Sequence, residues 1–462
     1  MSLTLAFGLF LQFAALILVL RLVGSRWIMF NGALLVIMLC TFHGLTEITN
    51  ILYPGADYHR VLVDQEAVDR WVLLVGFAIF LFSVAYTWTV KRIWKSRLQR
   101  PAHTQPQVNL PVLLAIAIIA FSQAVANGQT NYQYGQGNYI QNAYTYWIAG
   151  LSADLFLLAM VMSSVGLILL CARRWTLPLI VAEALLLTIF GQRLEVIAGI
   201  VMTAGAIARY GRPLKFKHFC IGLLLLAALS ALISASRNYY GRKTFSSSMG
   251  ERLLNIRMSA LTALSDPDLD LASDFLYRFD GNIFPTLVNE SFREGSPGAG
   301  LGSLGNNFLL YIPSFFYTSK LESSVEDRDE RTYILTHFGL DYKVDMAATL
   351  FAILFAYYGA VGLMCFAAGL GVVFAYLDRW VNFAGTTLSY IAGLGLTYCC
   401  IIIEQGAAVY FATFRIVICM LFVMTVTSGF RRSTGRSQKS RDSSSRRRAG
   451  PGGGFGLLPT KR

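Results

Sequence analysis

Charge is what this chain has least of. Only 14% of its 462 residues are Asp, Glu, Lys or Arg, against about a quarter in an ordinary soluble domain. With 55% hydrophobic residues and a mean hydropathy of +0.53, the composition excludes a soluble globular protein and points to the bilayer. Cysteine is absent from the long polar segment. All seven (Cys40, Cys171, Cys220, Cys365, Cys399, Cys400, Cys419) lie inside or at the ends of apolar runs, so neither a disulfide framework nor a zinc site is indicated. The first apolar run, Leu3 to Leu20, lacks a basic leader and a small-residue cleavage site, and is expected to be a retained span. No repeat of the inverted-transporter kind is visible.

What the chain does have is apolar runs of the length that a hydrocarbon core of about 30 Å demands of a helix. They fall at Leu3 to Leu20, Ile28 to Ile48, Trp71 to Val90, Leu110 to Ala126, Leu151 to Cys171 and Leu177 to Phe190. Leu194 to Ala208, Phe219 to Ser236, Met346 to Tyr376, Leu388 to Ile403 and Gly406 to Thr425 complete the series. The expected fold class is therefore an all-α integral membrane protein with about eleven transmembrane helices and one long, mostly helical extracytoplasmic loop. Residues 1–236 would form eight spans, 237–345 the extracytoplasmic loop domain, 346–428 three more spans, and 429–462 a tail.

Basic clusters occupy alternate loops: Arg21 with Arg26, Lys91 to Arg100, Arg173 with Arg174, Arg209 to Lys217, Arg379, and the tail. Under the positive-inside rule the N terminus is then periplasmic and the C terminus cytoplasmic. The tail from Arg431 carries ten basic residues and one acidic, out of a net +13 for the whole chain. Its Ser, Arg and Gly content predicts disorder, and an electrostatic anchor explains it better than nucleic-acid binding.

The outward segments carry the chemistry. Between Leu110 and Ala153 there is no charge, yet Asn127 to Trp147 is crowded with amides and aromatics, among them Tyr132, Tyr134 and Tyr139. Aromatic faces stack on sugar rings and amides pair with hydroxyls, although an interfacial aromatic belt has the same composition. Arg237 to Asp345 holds eleven basic and fifteen acidic residues and reads as a folded lobe. Gly300, Gly302 and Gly305 spell GxGxxG there, but no strand precedes them, so a dinucleotide site is rejected in favour of a flexible, gate-like loop from Gly295 to Asn307.

Cations on the outward side break the charge pattern. Arg193 sits in a tight turn, Arg237, Arg242 and Lys243 follow the eighth run, and Arg278 precedes Asp280 in Tyr277-Arg278-Phe279-Asp280. Arginine forks match phosphate oxygens bidentately; interface snorkelling or a plain ion pair is the alternative for each. Candidate bases on this side are Glu195, Asp280, Glu404 and His337, with no spacing that chooses among them. Glu195 is two residues from Arg193 and does not share a helix face with it.

These features together resemble the Wzy-type O-antigen and oligosaccharide repeat-unit polymerases, relatives of the O-antigen ligases. The likeness rests on the span count, the late outward loop, Gly191-Gln192-Arg193, Arg278-Phe279-Asp280, Tyr311-Ile312-Pro313 with Lys320, and Tyr357-Tyr358-Gly359-Ala360-Val361-Gly362. The resemblance implies a bacterial inner-membrane enzyme that transfers a glycan from polyprenyl pyrophosphate to the non-reducing end of another lipid-linked repeat unit. It further implies no nucleotide sugar, metal or other cofactor, and a chain-length regulator as partner beside membrane lipid. The expected catalytic set is Arg193, Arg237, Arg278, Asp280 and His337, with Arg242, Lys243, Tyr132, Tyr134, Tyr139, Glu195 and Glu404 binding substrate. A ligase or another polyprenyl-linked glycosyltransferase shares this layout, and a precursor flippase is the non-enzymatic alternative.

Overall fold

The computed structural model describes residues 2–54, 63–94, 201, 279–300, 330–340, 347–383, 387–401, 403 and 410. Among them there is no strand, and four helices are long and apolar enough to cross a membrane. We label the helices α1 (Leu3–Val23), α2 (Asn31–Cys40), α3 (Thr46–Leu52), α4 (Gln65–Ile93), α5 (Ile283–Arg293), α6 (Glu330–His337), α7 (Leu350–Phe383) and α8 (Thr387–Ile401). A π turn, Thr41–Leu45, joins α2 to α3 so that Asn31–Leu52 forms one span-length unit.

Local sequence explains the ends of α1. Ser2 caps its first turn, accepting from the Leu5 N–H at 3.1 Å, and Gly24 stops it at φ 57°, its N–H returning to the Leu20 carbonyl. Glycine is the usual residue at a helix end with positive φ because no Cβ opposes it.

α4 is the central post. α1 runs alongside it in the same direction: Ser2 bonds Asp69, and the helices cross where Gly8 and Gly76 face each other. A Cβ on Gly76 would lie 2.7 Å from the Gly8 carbonyl oxygen. Small residues permit such backbone approach, which is how apolar helices gain contact where lipid offers no hydrophobic incentive to associate. α2 and α3 run the opposite way, with Phe30 against Trp94 at one end and His43 against Trp71 nearer the other.

α7 is 34 residues long, about 51 Å if straight, more than one span needs. It is not straight. Gly359 breaks it at φ 66°, ψ −167°, and the chain doubles back there. The Phe82 ring lies 6.4 Å from Phe351 and 5.9 Å from Phe374, two residues that a continuous helix would hold about 34 Å apart. Leu350 to Tyr358 is thus a short arm, with Leu350 to Tyr357 buried among the other helices. Residues beyond Gly359 pack along α4, where a Cβ on Gly371 would lie 2.5 Å from the Phe82 carbonyl oxygen. The ninth apolar run, expected as one span from Met346 to Tyr376, is therefore a reversing hairpin whose long arm ends at Phe383. Hydropathy could not show this, because both arms are equally apolar.

α5 comes from the segment expected to be a separate extracytoplasmic lobe. Its Ile283, Phe284, Leu287 and Val288 are buried in the same core as α2, α4 and α7, and Phe292 meets Phe355 and Phe338 at 5.2 Å each. The described part of that segment is thus inserted into the helix bundle.

The two ends of the bundle differ in charge. Arg21, Lys91, Arg92 and Arg379 gather where α1, α4 and α7 finish, while Glu47, Asp64, Glu66, Asp69 and Asp280 gather at the opposite end. At the basic end, buried Asp378 on α7 caps the start of α2. It accepts from Asn31 N at 2.8 Å, Asn31 Nδ2 at 3.0 Å, Gly32 N at 2.9 Å and the Tyr86 hydroxyl at 2.8 Å. Thr397 on α8 donates to Asn31 Oδ1 at 2.8 Å. A carboxylate at a helix N-terminus meets both the unpaired N–H groups and the favourable end of the dipole, so this tie fixes α2, α4, α7 and α8 in register.

Candidate active site

Among the described residues, the acidic end gathers the buried polar side chains His43, Glu47, Asp69, Asp280, Asn282 and Thr349. His43 occupies the π turn of the second span and is fully buried beside Trp71. Trp71 is six residues inside the start of α4, so the imidazole lies about 9 Å below that end of the helix. π turns inside helices are rare and concentrate at functional sites. Here the turn faces the segment Asp280-Gly281-Asn282, which enters the bundle ahead of α5. The Gly281 N–H donates to the Phe42 carbonyl at 3.0 Å. Gly281 is threaded between the π turn and Thr349: a Cβ there would meet His43 Cε1 and Thr349 Cγ2 at 3.1 Å and the Phe42 oxygen at 3.2 Å.

The polar contacts form one connected set. His43 Nδ1 meets Asn282 Oδ1 at 2.9 Å, and its Nε2 meets the Thr349 hydroxyl at 3.0 Å. The Asn282 amide nitrogen donates to the His43 carbonyl at 3.1 Å and reaches Glu47 Oε2 at 3.5 Å. With its nitrogen so engaged, the amide oxygen accepts, so His43 carries a proton on Nδ1, and in a neutral ring Nε2 then accepts the Thr349 hydroxyl proton. Asp280 Oδ1 takes the Asn282 main-chain N–H at 2.9 Å, and its Oδ2 takes the Asn50 amide at 3.2 Å. Gln65 spans Glu47 Oε1 at 3.3 Å and Asp69 Oδ1 at 3.0 Å, and the Ser2 hydroxyl closes the chain on Asp69 Oδ2. Glu47 is 1% exposed and Asp280 3%.

Chemically, this is one end of an apolar bundle furnished with buried carboxylates, amides and one imidazole. A buried carboxylate held by a main-chain N–H and an amide has a fixed direction and can take a proton from a hydroxyl presented to it. Carboxylates and amides also serve as partners for sugar hydroxyls. Among the described residues no group of three or more His, Cys, Asp or Glu side chains has the arrangement to hold a metal ion.

Of the site residues expected from the sequence, the described ones are Asp280 and His337. Asp280 sits within the network. His337, at the end of α6, is exposed, its Nε2 donating to the Pro297 carbonyl at 3.0 Å and its ring stacked on Tyr333. Among the described residues no hydrogen bond connects it to the Asp280 set. Its contact secures the segment Gly295 to Gly300, whose other side is fixed where Ala299 N donates to the Ala356 carbonyl at 3.1 Å. Arg193, Arg237, Arg242, Lys243, Arg278, Tyr132, Tyr134, Tyr139, Glu195 and Glu404 lie outside the described residues.

Sequence reasoning passed over His43, Glu47, Asn50, Asn282 and Thr349. A usable signal existed for two of them. His43 and Glu47 are four residues apart within the second apolar run, hence near one helix face, and ionisable groups within spans are costly and seldom idle. The amides and Thr349 carry no such mark. No family model, no curated protein and no solved structure matches the chain.

Proposed function

We propose that this chain is a polysaccharide polymerase that joins polyprenyl-pyrophosphate-linked repeat units on the outer face of the cytoplasmic membrane. The observation that carries the reading is Asp280, in the Arg278-Phe279-Asp280 motif, buried and oriented by the Asn282 main-chain N–H and the Asn50 amide at the acidic end of an apolar bundle. Such a site suits an amphipathic substrate whose lipid stays in the bilayer while its glycan meets carboxylates and amides. The clustering of Arg21, Lys91, Arg92 and Arg379 at the other end supports an outward-facing site through the positive-inside rule.

In the proposed reaction an acceptor sugar hydroxyl attacks the anomeric carbon of the donor glycan. The new glycosidic C–O bond forms as the bond from that carbon to the pyrophosphate oxygen breaks, with inversion. Asp280 takes the hydroxyl proton, and the polyprenyl pyrophosphate leaves with the bonding electron pair. Arg193, with Arg237 or Arg278, stabilises the charge gathering on that leaving group. General-base assistance contributes about 10²- to 10⁴-fold, and a preorganised cation about 10²- to 10³-fold.

The test is reconstitution of the full chain in nanodiscs with a defined polyprenyl-pyrophosphate repeat unit, followed by separation of the glycolipids on a gel. A ladder with repeat-unit spacing is expected, with Asp280→Asn at least about 100-fold slower while remaining folded. An undiminished ladder from Asp280→Asn overturns the role of Asp280. Absence of any ladder from the native chain overturns the polymerase reading, and transfer of preformed polymer to a terminal acceptor replaces it with a ligase.

A further inference from the structure

Three interruptions of regular helix converge on one side chain. The π turn Thr41–Leu45, the segment 280–282 ahead of α5, and residues 347–349 ahead of α7 meet around His43. Within an apolar bundle, each departure from the helical ladder is tolerable only where protein partners satisfy the backbone. The Phe42 and His43 carbonyls do find partners, in Gly281 N and Asn282 Nδ2. The same two segments are thus tied twice, once through backbone carbonyls and once through the imidazole.

We propose that His43 is a positioning residue, acting through Asn282 on Asp280, and this rests on the polymerase reading above. Its Nδ1–H holds the Asn282 side-chain oxygen at 2.9 Å, and the main-chain N–H of that same asparagine fixes Asp280 Oδ1 at 2.9 Å. The Thr349 hydroxyl, donating to Nε2 at 3.0 Å, keeps the ring in the tautomer that can do so. That hydroxyl sits at the root of the short arm of α7, where it also accepts from the Ala352 N–H at 3.3 Å. With both ring nitrogens already engaged and the side chain fully buried, His43 is committed to orientation. Proton transfer belongs to the carboxylate.

Substitutions distinguish these roles because the two nitrogens have different amide mimics. Asparagine places its side-chain nitrogen near the position of Nδ1, glutamine near that of Nε2. His43→Asn retains the bond to Asn282, whereas His43→Gln and the shape-conserving His43→Phe do not. In the polymerisation assay we expect His43→Gln and His43→Phe to lower kcat about 10- to 100-fold with KM within about 3-fold, and His43→Asn to recover most of that loss. If all three variants fall together, or kcat follows only their thermal stability, the positioning role is wrong. A second readout needs no substrate: nitrogen-15 spectra of histidine-labelled protein, where the resonance missing from His43→Asn identifies the ring. A neutral ring protonated on Nδ1, changed by Asn282→Ala, is expected. An Nε2-protonated or cationic ring overturns the inference even if the native chain forms no ladder, while a ladder failure alone strikes the polymerase reading.

Discussion

Removing the carboxylate of Asp378 provides the sharpest test of the helix arrangement. Among the donors its two oxygens take are Asn31 N, Asn31 Nδ2, Gly32 N and the Tyr86 hydroxyl, all between 2.8 and 3.0 Å. The residue is fully buried, so Asp378→Ala leaves those donors without water to replace the lost acceptor. A buried polar group left unsatisfied costs about 1–3 kcal/mol, so orphaning several donors at once should cost about 3 kcal/mol or more. Tyr86→Phe deletes one donor and leaves the carboxylate those of Asn31 and Gly32, so about 1–2 kcal/mol is expected. Once Asp378 is gone the Tyr86 hydroxyl is itself an orphan, and the double variant should be no less stable than Asp378→Ala alone. Unfolding of the full chain in mixed micelles by titrated sodium dodecyl sulfate, followed by tryptophan fluorescence, measures all three. The reasoning is refuted if Asp378→Ala unfolds within about 1 kcal/mol of the native chain, or if the two single losses simply add.

Other consequences are open to the same kind of measurement. Gly359→Ala should cost about 1–3 kcal/mol, since φ 66° with ψ −167° is essentially closed to residues with a Cβ; an unchanged transition would mean the α7 reversal does not depend on that conformation. Gly371→Val should cost about 1–3 kcal/mol by pushing α7 off the Phe82 carbonyl, and a neutral result contradicts the close crossing. His337→Ala, at an exposed position, should change stability by no more than about 1 kcal/mol yet speed protease cleavage between Gly295 and Gly300, so equal cleavage rates argue against its anchoring Pro297. With all seven native cysteines replaced by serine, a membrane-impermeant maleimide should label Glu66→Cys from outside intact cells and Lys91→Cys only after permeabilisation. The reverse pattern inverts the proposed orientation.

The four described spans show where sequence reasoning was sufficient. Leu3–Val23, Asn31–Leu52, Gln65–Ile93 and the long arm of α7 coincide with apolar runs, with ends displaced by a few residues. Span existence follows from local composition, because each helix satisfies its own backbone and needs only twenty or so apolar residues to occupy the bilayer. The contacts set α1 and α4 running one way and Asn31–Leu52 the other.

Within the site, Asp280 was legible in the sequence as one of four outward candidate bases, beside Glu195, Glu404 and His337, with no spacing to choose it. His337 stood out for its chemistry alone, and the structure engages it with the Pro297 carbonyl. His43 was passed over although it sits in an apolar run, since hydropathy averages one imidazole into its neighbours.

Composition by itself determined that the chain belongs in a bilayer and which stretches could cross it, because transfer into hydrocarbon is a local property of about twenty residues. Tertiary structure alone decided that α7 doubles back at Gly359, that α5 enters the core, and that Asp280, Asn282, His43 and Thr349 meet. Those contacts join residues separated by as many as 306 positions. What sets them is complementary hydrogen bonding and glycine-sized gaps at Gly281 and Gly371, neither of which has a period or an average that a single sequence displays.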